Sequence, residues 1–326
     1  MRLGKKNTII TTIGWIIAAF IFYFIFKNLD LKALENLFGS TNLFNLIFFV
    51  VISAMLMVLS VLIRLWKWHH WLKHKIKSTD LSKAFGISRI GAIIFPGRFG
   101  DFAPLLVKKY RRNKKFSGLI FLDRGVIEPY TTLLFGILGF LVIYHSLGAF
   151  AHTIAIIFGL ITLLLILLFY KKSWDYLKKI LRWRFIHKYC IEPMKHVSDG
   201  AREIKHKTLF VFIVTFIATA VDLLMFQAIF WAFNIHISFF AVCIAFLILG
   251  FSSTISPTPA GIGIADGATI LTITGLFNID FNAVVVCFLL IRIITIAISL
   301  IMATIILRCA HVKSVKVVVE NITENA

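Results

Sequence analysis

Two short segments combine helix-breaking residues with charged side chains inside otherwise apolar sequence. They are Pro96-Gly-Arg-Phe-Gly-Asp101 and Pro257-Thr-Pro-Ala-Gly-Ile-Gly-Ile-Ala-Asp266. In hydrocarbon every backbone amide needs a partner, so a broken segment persists only where it is buried in protein or lines a wet cavity. Each segment therefore predicts a polar site. Glycine turns and short helix ends offer free N–H groups to an anion such as a phosphate, and Arg98 adds a planar fork of donors.

Charged residues elsewhere in apolar sequence extend this candidate site, because ionisable groups in membrane spans pair with each other or carry function. No nucleophile motif, nucleotide-binding motif or metal-ligand cluster is visible, so we expect no catalytic activity, cofactor or metal. The predicted residues that bind an anionic lipid head group are Arg98, Arg124, Arg292, Gly97, Gly100, Gly261 and Gly263. The predicted residues for charge pairing or coupling are Asp101, Asp123, Glu128, Asp222 and Asp266.

Three of these residues also have a purely structural interpretation. Arg98 would snorkel to the membrane surface with its charged head in water. Asp101 and Asp266 would each cap the helical limb that follows a break. Capping and a role in the site are compatible, because a cap residue at a broken helix already stands at the cavity.

The remaining charges have pairing alternatives. Arg124 with Asp123 or Glu128 would form a structural ion pair, and the four-residue gap from Arg124 to Glu128 places both on one helix face. Asp222 and Arg292 lie alone in long apolar runs, so they would pair with each other or with the charges of the two broken segments.

The composition indicates an integral membrane protein built from α-helices. The chain has 326 residues, of which 59% are apolar and 15% are charged. No ten-residue alternation typical of a β-barrel is seen. Six apolar runs approach or exceed the roughly 20 residues that cross a bilayer as a helix. They are Thr8 to Phe26, Leu43 to Ile63, Phe116 to about Tyr144, Phe150 to Phe169, Leu209 to Phe233 and Phe281 to Leu307.

The distribution of basic residues predicts the topology. The net charge of +20 lies in the joints between apolar runs, which favours lipid contact and excludes a nucleic-acid partner. We expect both termini on the cytoplasmic side of the plasma membrane. Residues 84–107 and 239–277 form limbs too short to cross, so we predict two re-entrant hairpins that enter from opposite faces. Six spans with two opposed hairpins are typical of inverted-repeat transporters.

We predict one transmembrane domain over residues 1–312 and a polar tail over 313–326. A basic cytoplasmic loop over 171–207 carries apolar residues at near-helical spacing, as in a helix lying on the lipid surface. Arg64, Arg308 and most histidines lie at span ends or in loops, where we expect interfacial anchoring. Four separated cysteines indicate neither a disulfide framework nor a metal site.

The motifs resemble those of the lysylphosphatidylglycerol synthase transmembrane-region family, also described as flippase-like membrane proteins. Residues 96–101 resemble its Pro-Gly-Arg-x-Gly-Glu motif, and residues 259–266 resemble its Pro-Gly-Gly-x-Gly-x-x-Glu motif. Asp123-Arg124 is similar to a Glu-Arg pair, and Arg292 stands where the last span carries an arginine. The chain departs from the pattern because Asp replaces Glu at all three positions, Ala260 replaces a glycine and Pro104 stands where arginine is common.

The resemblance implies a lipid-handling membrane protein, since members are associated with moving aminoacylated phosphatidylglycerol or with polyprenyl-linked glycosylation. Family synthases carry a soluble aminoacyl-transfer domain after the membrane part. The sequence ends at Ala326 without one, so we expect that it does not make lysylphosphatidylglycerol.

Three functions follow as hypotheses. The first is a lipid translocase that binds a phospholipid or polyprenyl-phosphate-linked lipid in a polar midplane cavity. The second is an ion-coupled carrier of a small solute, which the same inverted plan allows. The third is a non-transporting accessory protein for a glycosyltransferase or an envelope enzyme.

Overall fold

The computed structural model describes residues 29–147 and 207–310, except 73–75, 96, 108 and 111–112, together with a few isolated positions before residue 29. Within these ranges every regular element is helical, which confirms the predicted all-α class. The α-helices are α1 (Leu31–Ser40), α2 (Leu43–Leu72), α3 (Ser78–Ile94), α4 (Lys114–Ile120), α5 (Glu128–Leu147), α6 (Thr208–Ala232), α7 (Phe239–Ile255), α8 (Ile264–Phe277) and α9 (Phe281–Cys309). A 3₁₀ helix covers Phe99–Leu106, and a π-helical segment covers Phe121–Ile127.

Four described helices are long and apolar enough to cross a membrane: Leu43–Leu72, Lys114–Ile143, Thr208–Ala232 and Phe281–Cys309. They lie at four of the six predicted runs. The predicted run Phe150 to Phe169, the basic loop 171–207 apart from its last residue, and the tail 313–326 lie outside the described residues, as does almost all of the run Thr8 to Phe26.

Two helical hairpins lie where the sequence breaks. The first hairpin pairs α3 with the 3₁₀ helix Phe99–Leu106, so it begins earlier than the predicted residue 84. The second hairpin pairs α7 with α8, and its limbs match the predicted range 239–277. All four limbs are short because glycine and proline interrupt both segments.

The loops between the described helices lie at two ends of the helical bundle, and the end that carries Lys207 is called the basic end. At the basic end, Lys207 Nζ donates to the His70 carbonyl at 3.2 Å, and Ser78 Oγ lies 3.0 Å from His69 Nδ1. At the opposite end, the Asp30 N–H donates to Asn282 Oδ1 at 3.0 Å. The first hairpin therefore starts at the basic end. The second starts at the opposite end, after the α6–α7 joint.

The turns of the two hairpins meet inside the bundle. The Gly97 N–H donates to the Thr258 carbonyl at 3.2 Å, and the Ala260 N–H donates to the Phe95 carbonyl at 3.4 Å. Gly97 has φ +60°, and a Cβ there would lie 3.0 Å from the Thr254 carbonyl oxygen, so glycine suits both the conformation and the close approach. The reciprocal bonds satisfy backbone groups that the broken helices leave open.

Close helix packing surrounds this junction. α2 packs along α6, and α5 packs along α7, where a Cβ on Gly139 would lie 2.6 Å from the Phe240 carbonyl oxygen. Phe135 stacks on Phe216 with ring centroids 4.3 Å apart. Small residues and aromatic contacts of this kind hold helices together where lipid removes the hydrophobic drive between them.

Candidate functional site

A cavity with a volume of about 260 Å³ lies beside the bonded turns. Its wall combines apolar side chains such as Met57 and Phe288 with hydroxyl groups such as those of Thr132 and Ser253. The lining also includes an unusually high number of charged residues for the interior of an apolar bundle. They are Arg64, Arg89, Arg98, Asp101, Arg124, Glu128, Asp222 and Arg292.

Arg64 on α2 joins two other helices through ion pairs. Its Nη1 donates to Glu128 Oε1, and its Nη2 donates to Asp222 Oδ2 at 2.6 Å. Its Nε donates to Ser60 Oγ at 3.3 Å, and the residue is only 7% exposed. The prediction that Arg64 anchors a span at the membrane interface is therefore wrong. α2 continues to Leu72, so Arg64 lies within the helix and not at its end.

Arg124 lies on the π-helical segment and reaches into the cavity. Its Nη1 donates to Glu128 Oε1 at 2.6 Å, which confirms the predicted pair across four residues. Its guanidinium lies 5.6 Å from the Trp68 ring and 5.5 Å from the Phe85 ring, within cation–π range. Although Arg124 is 4% exposed, its Nε and Nη2 find no hydrogen-bond partner among the described residues.

The π-helical segment lies just before the proline at position 129. The Glu128 N–H donates to the Asp123 carbonyl, a step of five residues. Proline has no N–H, so the helical bond that residue 129 would make to Gly125 is absent. Segments of this type widen a helix and often occur at functional sites. Here the segment carries Asp123 and Arg124 together.

Lys67 and Asp123 form a second ion pair next to the cavity. Both side chains are 0% exposed, and neither belongs to the cavity wall. Lys67 Nζ also donates to Thr215 Oγ1 at 2.9 Å, and Trp68 Nε1 donates to the other Asp123 oxygen. Asp123 therefore pairs with Lys67 on α2, a residue that is absent from the predicted site residues.

Arg292 on α9 pairs with the second hairpin. Its Nε donates to Asp266 Oδ1 at 2.6 Å, and its Nη1 donates to the Ala260 carbonyl at 3.4 Å. Asp266 Oδ2 also accepts the Gly263 N–H at 3.0 Å, so the capping interpretation holds together with the ion pair. Of the two alternatives for Arg292, the structure contains pairing with a hairpin charge, while Asp222 pairs with Arg64.

The first hairpin contributes three charged residues to the cavity wall: Arg89, Arg98 and Asp101. A Cβ on Gly250 of α7 would lie 3.7 Å from Arg98 Nη2, so this guanidinium reaches across to the second hairpin. Arg89 lies over the Phe85 ring at 5.4 Å, and its Nε has no partner among the described residues. Neither arginine forms an ion pair with a described carboxylate, which leaves two guanidinium groups available to a ligand.

The predicted glycines shape the turns and are not among the residues that line the cavity. Gly97, Gly261 and Gly263 have positive φ angles of 60°, 71° and 87°. Gly100 faces Gly91, where an added Cβ would lie 2.0 Å from the Gly91 carbonyl oxygen. Contact between these glycines and a head group stays a prediction.

Sequence reasoning missed three basic residues of this region: Arg64, Lys67 and Arg89. For Arg64 and Lys67, the spacing of the residues along α2 could have indicated burial. On α2 the buried residues include Ser53, Met57, Ser60, Arg64, Lys67, Trp68 and Trp71, which recur every three or four residues and therefore share one face. Arg89 stands inside the apolar limb of the first hairpin, where any charge predicts a partner or a function.

The charges of the cavity do not cancel. Arg64, Arg89, Arg98, Arg124 and Arg292 face four carboxylates, those of Asp101, Glu128, Asp222 and Asp266. Lys67 and Asp123 neutralise each other. The region carries an excess of one positive charge, together with unsatisfied donor groups. It suits an anion that accepts several hydrogen bonds at once.

The comparison with known families agrees with the motifs. The family model for the lysylphosphatidylglycerol synthase TM region matches residues 11–303. The chain belongs to this family. Members of the family are membrane proteins related to lipid metabolism or to flippase-like function, and with the four long apolar helices this indicates a multi-pass membrane protein. A search of curated proteins found no match.

Proposed function

We propose that this member of the family is a lipid translocase that binds the phosphate of a lipid head group in the arginine-lined cavity. Its substrate would be a phospholipid or a polyprenyl-phosphate-linked lipid. The observation that carries the proposal is the junction of the two hairpin turns, Gly97 to Thr258, beside a cavity lined by five arginines. A polar path enclosed by apolar helices lets a charged head cross the hydrocarbon region.

The cavity chemistry favours a phosphate over other head groups. Arg89 and Arg98 carry no ion pair with a described carboxylate, and Arg124 has two unsatisfied nitrogens. Guanidinium groups bind phosphate oxygens through paired N–H donors. A cationic head group would meet the excess positive charge and be repelled. Glu128 already pairs with Arg64 and Arg124, and Asp101 lines the cavity without an ion pair among the described residues, so Asp101 is the carboxylate proposed to take up a coupling proton.

The membrane setting completes the proposal. The hairpins begin at opposite ends of the bundle, which supports their entry from opposite membrane faces and a junction near the midplane. In this arrangement the basic end of the bundle and both termini lie on the cytoplasmic side of the plasma membrane. Six helices cross the bilayer. The protein would move or bind its lipid without changing it chemically, with membrane lipids as its main partners.

The test is lipid exchange between leaflets of liposomes that contain the purified protein. Fluorescent lipids with a phosphate head group should reach the outer leaflet faster than in empty vesicles. Arg98→Ala should slow this exchange by roughly 10- to 100-fold, since one lost charged hydrogen bond is worth roughly 1.5–3 kcal/mol. The matched control is Lys109→Ala, which removes a basic side chain that is 64% exposed and pairs with Asp80 outside the cavity.

Exchange by the wild-type protein that does not exceed empty vesicles for any phosphate head group would contradict translocation. Uptake of a water-soluble anion without lipid movement would instead favour the solute-carrier hypothesis. Exchange by the wild-type protein with equal rates for Arg98→Ala and Lys109→Ala would show that the lipid does not pass through the arginine cavity.

A further inference from the structure

A second cavity of about 90 Å³ lies between α8 and α9. Two of its lining residues are the ion pair Asp266 and Arg292, at one border. The rest of the wall is hydrocarbon, contributed by Ile262, Ile270, Val285, Phe288, Leu289 and Ile296. The proposed function assigns no role to this apolar cleft.

The apolar cleft and the arginine cavity share two lining residues, Phe288 and Arg292. Arg292 therefore stands at the boundary between a polar and an apolar compartment. Its Nη2 is buried without a hydrogen-bond partner among the described residues, while its Nε binds Asp266. The guanidinium group of Arg292 and the ring of Phe288 therefore contribute to the walls of both cavities.

The two helices that form the cleft also carry exposed apolar side chains. Leu271 on α8 is 67% exposed and Ile293 on α9 is 64% exposed. Both helices are apolar, and α9 is one of the four helices long enough to cross a membrane. In a bilayer, exposed apolar side chains of this kind would contact lipid chains.

We propose that the apolar cleft binds a hydrocarbon chain of the lipid whose phosphate lies in the arginine cavity. The proposal rests on the proposed function and adds the position of the chain and its route, between α8 and α9. A lipid carries an anionic group next to an apolar chain. The arginine cavity is complementary to the anionic group, the apolar cleft is complementary to the chain, and Arg292 lines both. Burial of a chain against Ile270, Leu289 and Ile296 is favoured by the hydrophobic effect and by packing.

The first experiment fills the cleft. Ile296→Trp places a large ring among the lining side chains, and Ile293→Trp adds the same ring on the lipid-facing side of the same helix. Lipid exchange in liposomes should fall by about tenfold for Ile296→Trp, because overpacking blocks the chain site, and stay unchanged for Ile293→Trp. Binding of inorganic phosphate to the detergent-solubilised protein should be equal in both variants, and weaker in Arg98→Ala.

The second experiment uses the unmodified protein and does not depend on the folding of a variant. A phospholipid with a diazirine on one acyl chain is photolysed in liposomes, and labelled residues are mapped by mass spectrometry. Labels on Ile270, Leu289 or Ile296 support the chain site. Labels confined to exposed residues such as Leu271 and Ile293 overturn it.

The two proposals fail in different ways. Lipid exchange that is fast in both tryptophan variants, with no label in the cleft, removes the chain site and leaves the translocase intact. Absence of lipid exchange in the wild-type protein removes the translocase. In that case cleft labelling still decides whether a lipid chain binds between α8 and α9.

Discussion

The backbone N–H of Gly97 donates to the Thr258 carbonyl at 3.2 Å, which joins the turn of the first hairpin directly to the turn of the second. The Ala260 N–H returns a bond to the Phe95 carbonyl at 3.4 Å. These bonds hold two broken helices together at the point where charged side chains gather. The junction explains how so many polar groups persist inside a bundle of apolar helices.

The left-handed turn at Gly97 yields the first prediction. Gly97→Ala should destabilise the protein by about 1–2 kcal/mol, because a Cβ disfavours positive φ and approaches the Thr254 carbonyl oxygen. The matched control is Gly275→Ala in α8, where an added Cβ meets nothing within 4 Å and should stabilise the helix by about 0.5–1 kcal/mol. Thermal unfolding in detergent measures both. Equal melting temperatures for the two variants would contradict the assigned turn.

The buried pair of Lys67 and Asp123 yields the second prediction. Lys67→Met should destabilise the protein by about 3 kcal/mol, because it removes the closest cation of a fully buried carboxylate and leaves only the Trp68 N–H and the more distant Arg124 guanidinium beside it. The double variant Lys67→Met/Asp123→Leu should recover most of this loss, since neutral side chains need no ion partner. A double-mutant cycle of melting temperatures checks the coupling. Additive losses would show that the two residues do not depend on each other.

The position of Arg64 yields the third prediction. Arg64→Gln should lower stability by about 3–5 kcal/mol, because Glu128 loses one of its two arginine partners and Asp222 loses its ion-pair partner. Arg308→Gln is the control, since Arg308 is an exposed arginine at the end of α9 and its loss should change stability by about 0.5 kcal/mol or less. If both variants melt alike, Arg64 is an anchor at the membrane surface after all.

The excess positive charge of the cavity yields the fourth prediction. In a chain without native cysteines, Ser253→Cys places a thiol in the cavity wall. An anionic methanethiosulfonate reagent should modify this thiol faster than a cationic reagent of similar size, because the local field concentrates anions. Arg98→Gln in the same background should reduce the ratio of the two rates. A ratio that favours the cation, relative to the reaction of each reagent with a small free thiol, would contradict the assigned field.

Much of the fold was predictable because apolar runs and helix breakers are local features. The second hairpin has limbs of 17 and 14 residues at the predicted positions, since Pro257, Pro259 and the following glycines end one helix and begin the next. The ion pair of Arg124 with Glu128 was also predictable, because helical geometry fixes the distance between residues four apart.

Partners across helices were not predictable in the same way. Arg64 follows the apolar run that ends at Ile63, and Lys67 lies among tryptophans, a composition typical of the membrane interface. The contacts that bury them come from Asp123, Glu128 and Asp222, which are far away in sequence. Only the packing of α2 against α6 and the π-helical segment brings these groups together.

The most direct test of the central claim is an experimental structure of the protein in nanodiscs that contain a phosphate-bearing lipid. We predict density for the phosphate in the arginine cavity, within hydrogen-bond distance of Arg98 and Arg124, with its chain directed past Arg292. Density for lipids only around the outer surface, with water alone in the arginine cavity, would contradict the account.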